Sequence, residues 1–147
     1  MIVIADTSGI IASVDRSCPE HATARHVMDT AGLVVIPQLA LAELDHLFSG
    51  RFSKDAAGQV IDQLLAQVRS GRYRLGDADV DVLTDARLVQ RRYQGLALDL
   101  TDSVIAVLAR EYATEAVLTL DRKDFRAIRP LTAHPAFRLL PDDLDDL

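Results

Sequence analysis

Six carboxylates punctuate the chain where the surrounding sequence changes character. Asp6 ends the apolar run Met1–Ala5, and Asp121 follows the run Ala116–Leu120. Glu43 stands early in an amphipathic segment that opens at Pro37, and Asp102 follows Thr101 at the start of another. Asp99 precedes Asp102 by three residues, and Asp124 follows Asp121 by three. Carboxylates brought within a few ångströms of one another repel, and burial raises their pKa values. A divalent cation relieves that conflict, and Mg²⁺ and Mn²⁺ prefer oxygen ligands. Mg²⁺ keeps several waters, so a few carboxylates and a substrate phosphate complete its shell. Such a centre suits metal-assisted phosphodiester hydrolysis. Taken singly, each acid reads at least as well as a helix cap at a strand end.

The elements that must position these acids are legible from hydrophobic periodicity. Met1–Ala5, Gly32–Ile36 (stopped by Pro37) and Ala116–Leu120 are continuous apolar runs, as in strands buried on both faces of a parallel sheet. Arg72–Leu75 is a weaker run whose charges predict an edge, and Phe137–Leu140 is a fifth. Helical patterns lie between them. One opens at Pro19 and stops at Gly32; the next spans Pro37–Phe48 with Gly50 as its terminator. Ser53 caps a third that ends at Gly71, Asp79–Tyr93 forms a fourth, and Thr101 is expected to cap a fifth. Strands alternating with helices predict a parallel α/β sandwich. In an open parallel sheet, sites form beyond the carboxyl ends of the strands. Asp6 and Asp121 therefore share a crevice if their strands are neighbours, a point the strand pattern does not decide.

The 147 residues fit one domain, expected over 1–141, with an acidic, solvated tail at 142–147. That tail lacks the glycine and final Glu of a calcium loop. With 16 Lys+Arg against 22 Asp+Glu, the net charge of −6 excludes nucleic-acid binding through a uniformly basic surface. It leaves open a nuclease with an acidic centre and a basic rim. No apolar run approaches the roughly 18 residues needed to span a bilayer, and Met1–Ala5 is too short for a signal-peptide core. The single Cys18 excludes an internal disulfide or a multi-cysteine zinc site, and a cytoplasmic setting is the simplest expectation.

Four motifs resemble, in order and context, those of the PIN domain: Ile4-Ala5-Asp6-Thr7-Ser8-Gly9, Ala42-Glu43-Leu44, Leu100-Thr101-Asp102-Ser103-Val104-Ile105-Ala106 and Leu118-Thr119-Leu120-Asp121-Arg122-Lys123-Asp124-Phe125. More narrowly, the chain resembles the VapC ribonuclease toxins of type II toxin–antitoxin systems. The resemblance implies a PIN-like three-layer α/β/α sandwich around a mainly parallel sheet of four to five strands. It implies an endoribonuclease dependent on Mg²⁺ or Mn²⁺, cutting ribosomal RNA or tRNA by attack of a metal-activated water. The products would carry 5′-phosphate and 3′-hydroxyl ends. It also implies a homodimer and a cognate antitoxin whose tail occupies the active-site groove. The family's acidic quartet carries over onto Asp6, Glu43, Asp102 and Asp121. Asp6 and Asp102 would ligate the metal, with Glu43 and Asp121 binding it directly or through water. Relatives carry an Asp near the position of Gly95 and a Gly near that of Asp99. The reversal here leaves Asp99 as an extra acid, a lesser candidate for the metal shell alongside Asp124.

Thr7 and Ser8 beside Asp6 offer hydroxyls to a phosphate or carboxylate, or cap the following helix. Thr119 reads as a structural strand residue within reach of Asp121. Among the basic residues, Arg122 and Lys123 are the expected phosphate contacts because they adjoin Asp121; Arg51 and Lys54 flank the turn after Glu43's helix. A phosphohydrolase with a paired Asp after its first strand is disfavoured because position 8 is Ser. The remaining alternative is a degenerate PIN module that binds RNA or a partner without cutting.

Overall fold

Five strands and seven helices alternate along residues 1–144, which the computed structural model describes; residues 145–147 of the expected acidic tail lie outside the described residues. The elements are β1 (Ile2–Ala5), α1 (Thr7–Val14), α2 (His21–Thr30), β2 (Leu33–Pro37), α3 (Gln38–Arg51), α4 (Lys54–Arg69), β3 (Tyr73–Gly76), α5 (Val80–Arg92), α6 (Leu100–Glu111), β4 (Ala116–Leu118), α7 (Arg122–Ala127) and β5 (Arg138–Leu140). The strands form one sheet in the order β3-β2-β1-β4-β5, and each adjacent pair is parallel. The charged run Arg72–Leu75 does mark an edge strand.

Side-chain alternation along the strands divides the core in two. Val3, Ala5, Val34, Ile36 and Leu118 pack against α1–α4. Ile4, Val35, Val117 and Leu139 pack against α5–α7. The result is a three-layer α/β/α sandwich, as the resemblance implied. One close approach is built into the sequence. A Cβ at Gly9 would lie 2.4 Å from the Leu118 carbonyl oxygen and 2.6 Å from Leu118 Cγ, so glycine lets α1 lie directly on β4.

Several local expectations are corrected. Gly50 does not end α3, which continues to Arg51 because a solvent-facing glycine with open space around it is tolerated in a helix. Asp99, not Thr101, caps α6: its Oδ1 accepts from the Asp102 backbone N–H at 2.8 Å. Asp6, not Thr7 or Ser8, caps α1. β4 ends at Leu118 rather than at Leu120. The Leu120 and Asp121 N–H groups donate to Ser8 Oγ (2.9 Å) and Thr119 Oγ1 (3.0 Å), so side chains take the place of a strand partner and the chain peels away from the sheet. Within the expected acidic tail, Asp142 is solvent-exposed as expected but pairs with Arg126, whereas Asp143 is partly buried. Asp143 accepts from the Leu139 N–H at 2.8 Å, and Arg126 reaches both acids at 2.7–3.1 Å.

Candidate active site

The chain runs β1-β2-β3 toward one edge and then places β4 on the far side of β1, so the topological switch point lies between β1 and β4. Asp6 and Asp121 leave the sheet on either side of that point. A cleft of about 330 Å³ opens there, lined by Asp6, Glu43, Asp99, Asp102 and Asp121 together with Thr7 and Ser8. All four acids of the expected quartet therefore face one cavity, with Asp99 as a fifth.

Asp6 is 6% exposed and held at both oxygens: Oδ1 accepts from the Thr7 N–H at 2.8 Å and Oδ2 from the Thr119 hydroxyl at 2.8 Å. Capping and lining the cleft are thus one role for this residue, because the cap of α1 sits at the sheet's switch point. Burial drives its pKa up to about 6; the Thr119 and Thr7 hydrogen bonds oppose the rise, while the charges of Glu43 and Asp99 add to it. Asp102, buried in the first turn of α6, is pushed up to about 8 by burial and then by Asp99, Asp6, Asp121 and Asp124. Asp121 is exposed, yet its pKa is also raised, by partial burial and then by Asp124 and Asp99. Glu43 is half-buried on α3.

Asp124 is closer to the centre than its spacing suggested. Its carboxylate and those of Asp102 and Asp121 each offer an oxygen within 4.8 Å of the others, although Asp124 does not line the cleft itself. Oxygen donors at this density, two of them held protonated well above the ordinary carboxylate range, fit a hard divalent cation. Thr7 Oγ1 adds a buried hydroxyl on the cleft wall that has no partner among the described residues.

The basic residues expected to contact phosphate adjoin Asp121 at the start of α7. Arg122 and Lys123 are not among the residues lining the cleft. Lys123 is exposed, and Arg122 Nε lies 3.8 Å from Asp142. Thr119 is the residue that sequence reasoning undervalued. Buried beside the end of β4, it donates to Asp6, accepts from the Asp121 N–H and lies 3.3 Å from Ser8 Oγ, tying the two sides of the switch point together. Its place opposite Asp6 follows from the pairing of β1 with β4, which leaves no trace in the sequence, so no sequence signal singled it out.

A five-stranded parallel sheet with an acidic cleft at its switch point is the arrangement found in the PIN domain, whose family model matches residues 3–130. Ribonuclease VapC26 of Mycobacterium tuberculosis is 32% identical over 130 residues, covering 88% of this chain and 93% of that protein. The chain belongs to the PIN-domain family, within its VapC ribonuclease branch. Solved structures share the fold at lower identity. VapC20 of Mycobacterium tuberculosis, described as a sarcin–ricin loop cleaving toxin, superposes with a TM-score of 0.72 at 19% identity, covering 87% of this chain and 99% of that one. VapBC2 of Rickettsia felis, solved bound to a fragment of its promoter DNA, gives a TM-score of 0.65 at 19% identity over 90% and 96% of the respective chains.

Proposed function

We propose that this protein is an endoribonuclease toxin that depends on a divalent cation and is neutralised by a cognate antitoxin. The observation that carries the reading is the convergence of Asp6, Glu43, Asp99, Asp102 and Asp121 on one cleft at the switch point of a VapC-family fold. Asp6 and Asp102 are the proposed direct metal ligands, and Glu43 and Asp121 the acids that hold metal or orient water. The proximity of Asp124 to Asp102 and Asp121 supports giving it a share of the second role. Mg²⁺ or Mn²⁺, when bound, supplies an acidified water and offsets charge growing on the phosphoryl oxygens.

This chain's own residues do the rest. Thr119 and the Thr7 N–H fix both oxygens of Asp6, so the carboxylate presents one geometry to the cleft. Asp99 fixes the first turn of α6 and thereby Asp102. Thr7 Oγ1, buried without a partner, is available to a substrate phosphate oxygen. Ribosomal RNA or tRNA is the proposed substrate, and a homodimer the proposed assembly. Among the described residues no helix is long and apolar enough to cross a membrane; a cytoplasmic setting is proposed.

The test compares RNA cleavage by the parent protein and Asp6→Asn, each titrated with Mg²⁺, Mn²⁺ or a chelator. Cleavage that requires metal and is lost in a folded Asp6→Asn is expected. Metal-independent cleavage, or a fully active variant, overturns the mechanism; RNA binding by a folded parent that never cleaves turns the reading to a degenerate module.

A further inference from the structure

Among the described residues that line the acid cleft, the basic side chain is Arg51. Glu43, Leu47 and Arg51 recur every four residues on α3, so one stripe of one helix runs from an acid at the centre to a cation at the mouth. Eight residues at about 1.5 Å rise each put Arg51 about 12 Å from Glu43 along the helix axis. Its side chain is 58% exposed and its guanidinium is held by Asp15, Nη1 lying 3.2 Å from Oδ2. Asp15 is only 4% exposed and also accepts from the Ser17 N–H (2.9 Å) and hydroxyl (2.6 Å). Those two bonds hold its carboxyl below the usual carboxylate range. Asp15 is therefore a fixed anion that pairs with Arg51 at the cleft while more than half of the Arg51 side chain stays in solvent. A cation at a helix C-terminus suits the helix dipole, but that does not account for its facing the acids.

We propose that Arg51 binds a phosphate of the RNA next to the scissile one and so guides the polyanion past the carboxylates. The proposal rests on the reading of the cleft as an RNA-cleaving site. An axial offset of about 12 Å removes Arg51 from the reacting phosphate, so it contributes to substrate affinity and not to the chemical step. Its planar fork can engage a phosphate with outward N–H groups while Nη1 stays with Asp15.

The test pairs Arg51→Ala with Arg51→Lys and Asp15→Asn. Cleavage is followed in the active protein. Equilibrium binding of a fluorescein-labelled, mixed-sequence single-stranded RNA oligonucleotide is followed across salt concentrations in the Asp102→Asn background. Arg51→Ala is expected to raise KM and Kd about tenfold with kcat within about twofold. The slope of log affinity against log salt should fall by about 0.7. Arg51→Lys recovers the slope but only part of the affinity, because a lysine lacks the fork. Asp15→Asn breaks the same ion pair yet keeps the cation, so it raises KM clearly less than Arg51→Ala does. Equal rises in KM for Arg51→Ala and Asp15→Asn, an unchanged salt slope in Arg51→Ala, or a fall in kcat matching that in kcat/KM would each overturn the assignment. A parent protein that neither binds nor cleaves RNA overturns the ribonuclease reading itself, and is told apart by the absence of any baseline.

Discussion

Replacing Asp102 by Asn should make the metal-free protein more stable while abolishing its activity, and the size of the gain should depend on pH. The Asp102 carboxyl is raised from 3.8 to about 8, by burial first and then by Asp99, Asp6, Asp121 and Asp124. The folded state therefore keeps this proton to about pH 8, whereas the unfolded chain releases it near pH 3.8. Between those limits the unfolded state binds fewer protons, so stability falls as pH rises. At about 1.36 kcal/mol per pH unit the full rise corresponds to about 6 kcal/mol in a dry site. Because the side chain borders an open cleft, screening by solvent reduces this, and half is the working figure, about 3 kcal/mol. Asparagine has no charge to bury. The stability difference between Asp102→Asn and the parent should thus be near zero around pH 4 and reach about 3 kcal/mol above about pH 8. In a protein of this length that is about 6–12 °C in Tm. Thermal unfolding in chelator across that pH range measures it directly. Metal supplies a second arm: at a hundredfold excess over Kd the parent gains about 2.7 kcal/mol, and the variant gains far less. A variant no more stable than the parent at high pH without metal would refute the claim that these carboxylates are pressed together at a cost that a cation relieves.

Two further expectations concern the framework. Gly9→Ala forces a methyl against the Leu118 carbonyl and should cost about 3 kcal/mol, read as a lowered urea midpoint; an unchanged midpoint would mean that α1 is free to lift off β4. Thr119→Val removes the donor to Asp6 and the acceptor for the Asp121 N–H in a fully buried position, and should cost about 2–3 kcal/mol. Thr119→Ser keeps the hydroxyl and should recover most of it; a Thr119→Val variant as stable as the parent would show that the hydroxyl's bonds do not hold the two sides of the switch point together.

The sheet was legible because strands buried on both faces leave unbroken apolar runs, and Met1–Ala5 and Ala116–Leu120 both carry that mark. Strand order was not, because a register between β1 and β4 joins segments more than a hundred residues apart and leaves no local trace. The acids of the site could be named in advance, yet the sequence set capping against chemistry as alternatives. Asp6 caps α1 and lines the cleft at once, since the N-terminus of α1 opens at the switch point. Asp99 hid the same duality, capping α6 while lining the cleft. Arg122 and Lys123 drew attention by adjacency to Asp121, but a helix turns neighbouring residues to different directions, and Asp142 folds back to lie near Arg122. Arg51 escaped emphasis because its relation to Glu43 is a helical stripe that holds only if α3 continues through Gly50.

The central claim is most directly tested by incubating purified, antitoxin-free protein with total RNA, with and without Mg²⁺ or Mn²⁺, beside Asp102→Asn, and mapping the cut ends by sequencing. The account predicts discrete metal-dependent cuts that carry 5′-phosphate and 3′-hydroxyl ends and vanish in the variant, even though the variant is the more stable metal-free protein. Cuts that persist in Asp102→Asn, or that end in a cyclic phosphate from attack by the RNA's own 2′-hydroxyl, would contradict it.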